Sequence, residues 1–471
     1  MATLSCSTLL DPVRTPRLFL LSLAAASLLA TGCGGAIESA STANGNVTTG
    51  PAFLIGTDAP LASVTSFAVQ IQSIDAVTAS GTSVPLLSGT PTVDFARFNG
   101  LQTLLDMNDV PVGMYSSISV TLGPATIGYL NTGSGAPTIQ TEAAMLTQST
   151  INTTLANPLI VTQTGPVGIH LDFDLAKSIQ VSGGQITGMV TPTFNISAVG
   201  PSDSGAYIDE FDAGVVSVNS TAQSFVIQGP HGRNFTVNVT GNTTWDNNES
   251  LSSLTASSIV QISGSLDRAD ATIDADEVAI LSQNGFYAAG QVTYVTPASG
   301  AASSFDLYVR DMLPASTGLT LGQIAQVDLS GQENFFIYRM HNPLTQFLFN
   351  SSGLLAGQSV AIGGPASGAA NPQAVTVKRV VLRHWGYNGT VVPGSLNIAN
   401  GTFQMQVNSF AGLLIPQTVT VYVANNTAFR FGLTGMSSVP AGVNVRVVGL
   451  LLKDPVSGQT VLLARYVDAL N

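Results

Sequence analysis

The segment IHLDFDL carries His170, Asp172 and Asp174 at alternate positions. Successive side chains on a strand point to opposite faces, so these three share one face. A histidine beside two carboxylates could coordinate a hard cation, hold a polar ligand or move a proton. The wet side of an ordinary antiparallel strand has the same appearance. A second acidic run, DRADATIDADE, packs Asp267, Asp270, Asp274, Asp276 and Glu277 into eleven residues. Calcium takes about six to eight oxygen ligands, which such a run could supply in part. The run lacks the spacing of an EF-hand loop, and a solvated acidic hairpin has the same composition. Trp385, in RHWGY, is the candidate for an exposed aromatic on which a sugar ring could stack. Asp58, in GTDAP, is either a ligand or the side chain of an Asx turn closed by Pro60.

Motifs for covalent chemistry are missing. The chain has no G-x-S-x-G elbow, H-E-x-x-H, P-loop or S-x-x-K. Its four histidines, His170, His231, His341 and His384, are far apart in sequence. The reading is a protein that is not an enzyme and needs no cofactor, calcium being the one candidate ion. A periplasmic or surface hydrolase assembled from distant residues is the less favoured alternative, since triads are defined by geometry.

The N-terminus speaks of location. Arg14 and Arg17 precede Leu18–Ala30, thirteen residues interrupted only by two serines. That is a charged region followed by an apolar one too short to span a bilayer, which needs about 20 residues. Ala30-Thr31-Gly32-Cys33 then resembles the lipobox of bacterial lipoprotein signal peptides, with Ala30 where leucine is usual. The resemblance implies cleavage before Cys33 and acylation of its sulfur and new amino group. Residues 1–32 would be the signal and 33–50 a flexible tether, with a reach of roughly 20–25 Å. The alternative is an ordinary secretory signal with a coincidental cysteine. Cleavage would also remove Cys6, the other cysteine, leaving no pair for a disulfide. Gly34 is not the aspartate of an inner-membrane retention signal, which favours the outer membrane in a cell that has one.

Composition sets the class. Formal charge is −12 over 471 residues, and charged residues make up 9% of the chain. So acidic a chain suits a phosphate backbone poorly, and no nucleic acid partner is expected. Short runs rich in valine, isoleucine and threonine, separated by Gly/Asn turns, indicate an all-β protein. Alternation is plain in SFAVQIQS (Phe67, Val69, Ile71 on one face), in SSISVTLG (Ile118, Val120, Leu122) and in IHLDFDL (Ile169, Leu171, Phe173, Leu175). Leu101, Leu104 and Leu105 in FNGLQTLLDM fall at helical spacing and predict one short helix.

Beyond residue 200 the chain repeats itself. VNVTGNTTW (ending at Trp245), VDLSGQENF (Phe335) and VYVANNTAF (Phe429) align without a gap. Trp245 therefore reads as core. A second block ends at Gly264, Gly364 and Gly449, and a third at Val278, Val380 and Val467. The copies open at Gly214, Gly290 and Gly389. The AG dipeptide before the second block in two copies suits a turn with positive φ at glycine. Units this small bury their edges best by closing into barrels.

The segments FLIGTDAPLASVTSFAVQIQSIDAV, VDFARFNGLQTLLDMNDVPVGMYSSISVTLG and LDFDLAKSIQVSGGQITGMVTPTFNI resemble domain-of-unknown-function family 4382. The three copies resemble domain-of-unknown-function family 5666. The resemblances imply a β-sandwich and small β-barrel modules on a secreted or lipid-anchored protein, and bring no catalytic residues.

The expected fold is therefore all-β: an N-terminal antiparallel β-sandwich (51–200) followed by three small β-barrel repeats (211–283, 287–384 and 388–471). The expected function is that of a lipid-anchored, non-enzymatic protein of the cell envelope, partnered with the membrane through Cys33. Its first domain would recognise a glycan, a protein or an ion, with the barrels as spacers. A purely structural stalk is the alternative.

Overall fold

The computed structural model describes residues 47–470, apart from 60–63, 99–100, 132–137, 164, 183–184, 201–206, 230–233, 246–248, 268–271, 314–318, 338–342, 345, 366–373 and 408–416. Cys33, the signal and nearly all of the tether lie outside the described residues, as do His231, Asp270 and His341. The chain from Asn46 to Asn471 is one compact unit. Among the described residues, no helix is long and apolar enough to cross a membrane.

The first domain is a sandwich of two sheets. One has four strands in the order Phe194–Val199, Val167–Asp174, Thr49–Ala59, Thr103–Pro111. The other has eight and is built around the paired long strands Val64–Val77 and Gly113–Asn131. Phe67, Val69, Ile71, Ile118, Val120, Ile169, Leu171 and Phe173 are buried in the core between them, as their alternation requires. Phe173 stacks on Phe194, with centroids 4.3 Å apart, and meets Phe67 and Phe95 edge-on at 5.1 Å. Antiparallel pairing dominates, but Val167–Asp174 runs parallel to Thr49–Ala59, so the sheet is mixed.

One element departs from the sequence expectation. The helix read from Leu101, Leu104 and Leu105 is instead the strand Thr103–Pro111, paired with Thr49–Ala59. Leu105 faces the sandwich core and Leu104 faces the first repeat. A strand covered on both faces loses its polar alternation, so adjacent leucines mimic a helix.

The first and third repeats are closed five-stranded barrels. The first comprises Tyr207–Asn219, Ser224–Gln228, Asn234–Trp245, Thr272–Ser282 and Ile259–Asp267. The third comprises Trp385–Val391, Thr402–Val407, Gln417–Arg430, Thr460–Ala469 and Asn444–Lys453. The aligned sequence blocks meet as pairs in every copy: Trp245 lies opposite Val278, Phe335 opposite Val380 and Phe429 opposite Val467, all in parallel register. In the first and third copies a threonine clasps the bulge before that aromatic. Thr243 accepts from the Thr240 amide (2.9 Å) and donates to the Ala275 carbonyl (2.6 Å). Thr427 does the same with Ala424 (2.9 Å) and Ala464 (2.6 Å). Gly264 and Gly449 sit at a second shared bulge, where a Cβ would stand 2.2 and 2.3 Å from a carbonyl oxygen of the neighbouring strand. The AG turns behave as read: Gly357 and Gly442 have φ of 96° and 73°.

The middle repeat is a seven-stranded sheet in which both strands of the parallel pair are split, giving Ile324–Asp328 with Ala374–Thr376 and Asn334–Ile337 with Arg379–Arg383; the other pairings follow the order of the two barrels, with the parallel pair interrupted. The threonine of the clasp is replaced by Glu333, which accepts from Ser330 and Gly331 and, once ionised, has no proton to give to the facing strand. The core of this repeat extends into the next repeat. Leu450, Leu452, Val461 and Leu463, from the long hairpin of the third repeat, pack into it. Tyr422 meets Phe347 edge-on at 5.1 Å, and the buried Gln358 amide donates to the Leu451 carbonyl at 2.9 Å. The middle repeat and its neighbour share one core, so neither is a free bead.

Candidate functional site

The back face of the four-stranded sheet, turned away from the sandwich core, divides into an apolar and a polar half. Phe53, Ile55 and Leu104 cover one half and pack with Phe211 and Ile262 of the first repeat. The other half carries His170 and Asp172, with Ser197 and Asn195 directly opposite them on the adjacent strand. It faces the third repeat across a cleft of about 540 Å³, whose far wall includes Asn388, Phe431 and Arg446. His170, Asp172 and Asp174 all line this cleft.

Their individual roles differ. Asp172 Oδ2 accepts from the Asn195 amide at 3.0 Å, while Oδ1 is buried and makes no hydrogen bond among the described residues. The His170 ring lies 3.5 Å from the Gln102 amide nitrogen. Burial pushes its pKa down and outweighs the opposing pull of Asp172, so the ring is neutral at physiological pH. Asp174 is a structural residue. It caps the short helix Leu175–Ser178 by accepting from the Lys177 amide (3.0 Å), and pairs with the Lys177 ammonium at 3.2 Å.

The far wall is tied to the near one by Arg446. Its Nη1 donates to the Asp58 carbonyl at 2.8 Å, and its Nε to Asp468 at 2.9 Å. Arg430 also holds Asp468, at 2.7 and 2.9 Å, and lies 3.9 Å from the centre of the Tyr466 ring. Burial pushes Asp468 up, but the hydrogen bonds and charges of the two arginines overcome it and hold its carboxyl below the usual range. The side chain of Asp58 is not part of the cleft lining, and the turn read at Pro60 lies outside the described residues. It is fully buried on its strand, among the described residues neither carboxylate oxygen makes a hydrogen bond of normal geometry, and burial followed by the charge of Asp172 raises its pKa well above the usual value.

Phe431, on the rim, is 56% exposed and has φ of 53°. A bulky residue in the left-handed region is a true outlier, and such strain concentrates at functional sites.

Trp385 is elsewhere. It is half-buried rather than exposed, because the Arg310 guanidinium stacks over its ring at 4.5 Å. It belongs to a polar hub where the first domain and all three repeats converge. There Arg383 bonds Glu210 through Nε (3.0 Å) and Asp212 through Nη1 (2.7 Å), and also reaches the hydroxyl of Tyr287. His384 Nδ1 lies 2.7 Å from Glu210, whose own φ is 45°. Arg310 donates to the Ala96 carbonyl at 3.0 Å, Arg97 pairs with Asp311 at 3.3 Å, and Arg465 with Asp209 at 3.1 Å. Burial keeps the Asp212 pKa above its ordinary value, although Arg383 pulls it down. The void at this hub is about 70 Å³, room for about two waters. It is a junction of paired charges.

The acidic run forms the hairpin between the last two strands of the first barrel. Asp274 accepts from Asn238 at 3.0 Å, Asp276 is exposed at a bulge, and Glu277 is buried. Asp270 and the side chain of Asp267 lie outside the described residues. Among the described residues, no three acidic, histidine or cysteine side chains gather into a metal site.

Residues 52–192 match the domain of unknown function DUF4382, and residues 213–279 match the domain of unknown function DUF5666. The two families stand in the order expected from the sequence. A search of curated proteins finds no match to the chain. His170, Asp172 and Asp174 lie inside the DUF4382 match, while Asn195 and Ser197 come from the strand just after it. The cleft's other wall comes from the third repeat, outside both matches. Sequence reasoning missed Asn195, which pairs with Asp172 from a strand 23 positions on, and Asn388, Phe431 and Arg446, because nothing local marks residues brought to the first domain from more than 190 positions away. The one local hint is Phe431 before Gly432, a turn at which both residues have positive φ.

Proposed function

We propose that this protein is a lipid-anchored, non-enzymatic recognition protein of the cell envelope, attached through Cys33, that holds a small polar ligand between its first domain and its third repeat. The observation that carries the reading is the buried, unpartnered oxygen of Asp172 on the wall of a cleft of about 540 Å³. An orphaned buried carboxylate oxygen costs stability, and a ligand donor would relieve that cost. A cleft of this size falls within the range of small-molecule sites. The strained aromatic on its rim points the same way.

A hydrolase reading finds less support. Asp172 is held by Asn195 and not by His170, whereas a triad needs its acid on its base. A bare stalk would have no use for a strained, exposed phenylalanine.

The test follows labelled palmitate in cells expressing the full chain 1–471 for the anchor, and uses the mature chain from Cys33 in an envelope-extract ligand screen for the cleft. Incorporation lost in Cys33→Ser supports the anchor. Ligand capture lost in Asp172→Ala supports the cleft; capture unaffected by that change refutes it.

A further inference from the structure

Resting on the cleft as the binding site, we infer that its ligand is a neutral sugar, one or two rings of a glycan, held by hydroxyl groups on Asp172 and Asn195 and by a ring face on Phe431. The charges in the lining select the class. Lys177 is paired with Asp174, and Arg446 with Asp468. Among the described residues, Asp172 is therefore the one formal charge in the lining that no cation pairs, and it repels phosphates and uronic acids. Its Oδ1 accepts and cannot donate, so it calls for an O–H or N–H. Asn195 stands directly opposite, on the adjacent strand, with one amide N–H fixed on Asp172. Its second N–H and its carbonyl remain for a ligand by inventory. An acceptor and a donor side by side match two neighbouring hydroxyls on a sugar ring, each of which both gives and takes a hydrogen bond.

Ser197 and Asn388 add further hydroxyl and amide groups to the lining, and His170 is neutral. Phe431 supplies the complementary surface. A pyranose has one face of C–H groups, which stacks on an exposed aromatic ring. The cleft has room for about one or two such rings on the scale of small-molecule sites. Both walls are needed: the hydroxyl-binding pair comes from the first domain and the stacking ring from the third repeat.

The experiment is calorimetric titration of the mature chain with four probes: neutral hexose and N-acetylhexosamine oligosaccharides, the matching uronic acid, and an alkyl diamine. The expected result is binding of a neutral sugar, with the uronic acid at least tenfold weaker. Asp172→Asn should weaken binding roughly ten- to hundredfold, the usual effect of losing one charged hydrogen bond, and Phe431→Ala roughly two- to tenfold, the scale of one ring contact. Both changes conserve or reduce volume at accessible positions, and circular dichroism verifies folding. Binding of the diamine alone, lost in Asp172→Asn, would overturn the sugar and leave the cleft standing. Sugar binding indifferent to both substitutions would overturn the cleft itself. No binding of any probe would overturn the sugar inference while leaving the cleft to the extract screen.

Discussion

Replacing Arg383 by methionine should unlock the hub at which the first domain and the repeats meet. The guanidinium is 10% exposed and pairs with Glu210 and Asp212, whose side chains are 1% and 5% exposed. Removing one partner of a buried pair costs about 3–5 kcal/mol, because the charge left behind keeps its desolvation penalty. Here two carboxylates are left, so the upper part of that range applies. For the compact unit Asn46–Asn471, with an unfolding entropy of about 2.1 cal/mol/K per residue, each kcal/mol is worth about 1 °C, which gives a fall of roughly 5 °C in Tm. The assay is differential scanning calorimetry of the mature protein, with Lys177→Ala as control. Lys177 is 57% exposed in its pair with Asp174, and its loss should cost at most about 1 kcal/mol. Adding Glu210→Gln and Asp212→Asn to Arg383→Met should restore much of the loss, since no unpaired charge then remains. An Arg383→Met protein within about 1 kcal/mol of the parent would refute the reasoning.

Three further outcomes follow from the same geometry. Asp58 has a raised pKa, so the folded state binds its proton more tightly than the unfolded chain; its contribution to stability is lost as pH rises from the ordinary value of 3.8 through the folded one. The difference in denaturation midpoint between Asp58→Asn and the parent should therefore widen in favour of the variant from pH 4 to pH 9, and a constant difference would contradict it. Thr427→Val removes the hydroxyl that clasps the third barrel and should cost about 1–2 kcal/mol in urea unfolding, with Thr243→Val similar in the first. Phe431→Gly relieves a left-handed backbone and should raise stability by about 1 kcal/mol while weakening ligand binding; a loss of stability would show that the ring is packing, not waiting.

Strands and repeats were legible because they rest on local rules. Period-two alternation marked Phe67, Val69 and Ile71 as core, and the aligned aromatics Trp245, Phe335 and Phe429 fall at one register position in all three copies. Where burial comes from a neighbouring domain, local rules fail. Leu104 and Leu105 looked helical because the first repeat covers the second face of their strand. The middle copy carries the same sequence blocks, yet its core is shared with side chains nearly a hundred residues later, which no local pattern announces. The site divides in the same way. His170 and Asp172 were visible as a polar stripe, but their partners Asn388, Phe431 and Arg446 are joined to them only by tertiary packing. Trp385 was misjudged as exposed because the arginine that covers it, Arg310, lies 75 positions earlier in the chain. The shared cores and the charged hub also change the role of the repeats: they build half of the cleft.

That claim is tested most directly by small-angle X-ray scattering of the mature protein. A single compact body of this length has a radius of gyration of about 22 Å by the usual scaling. The account predicts a value close to that, unchanged between 0.05 and 0.5 M salt. A radius well above 30 Å, or one that grows with salt, would mean that the domains are strung apart and that no cleft between the first and the last is held together.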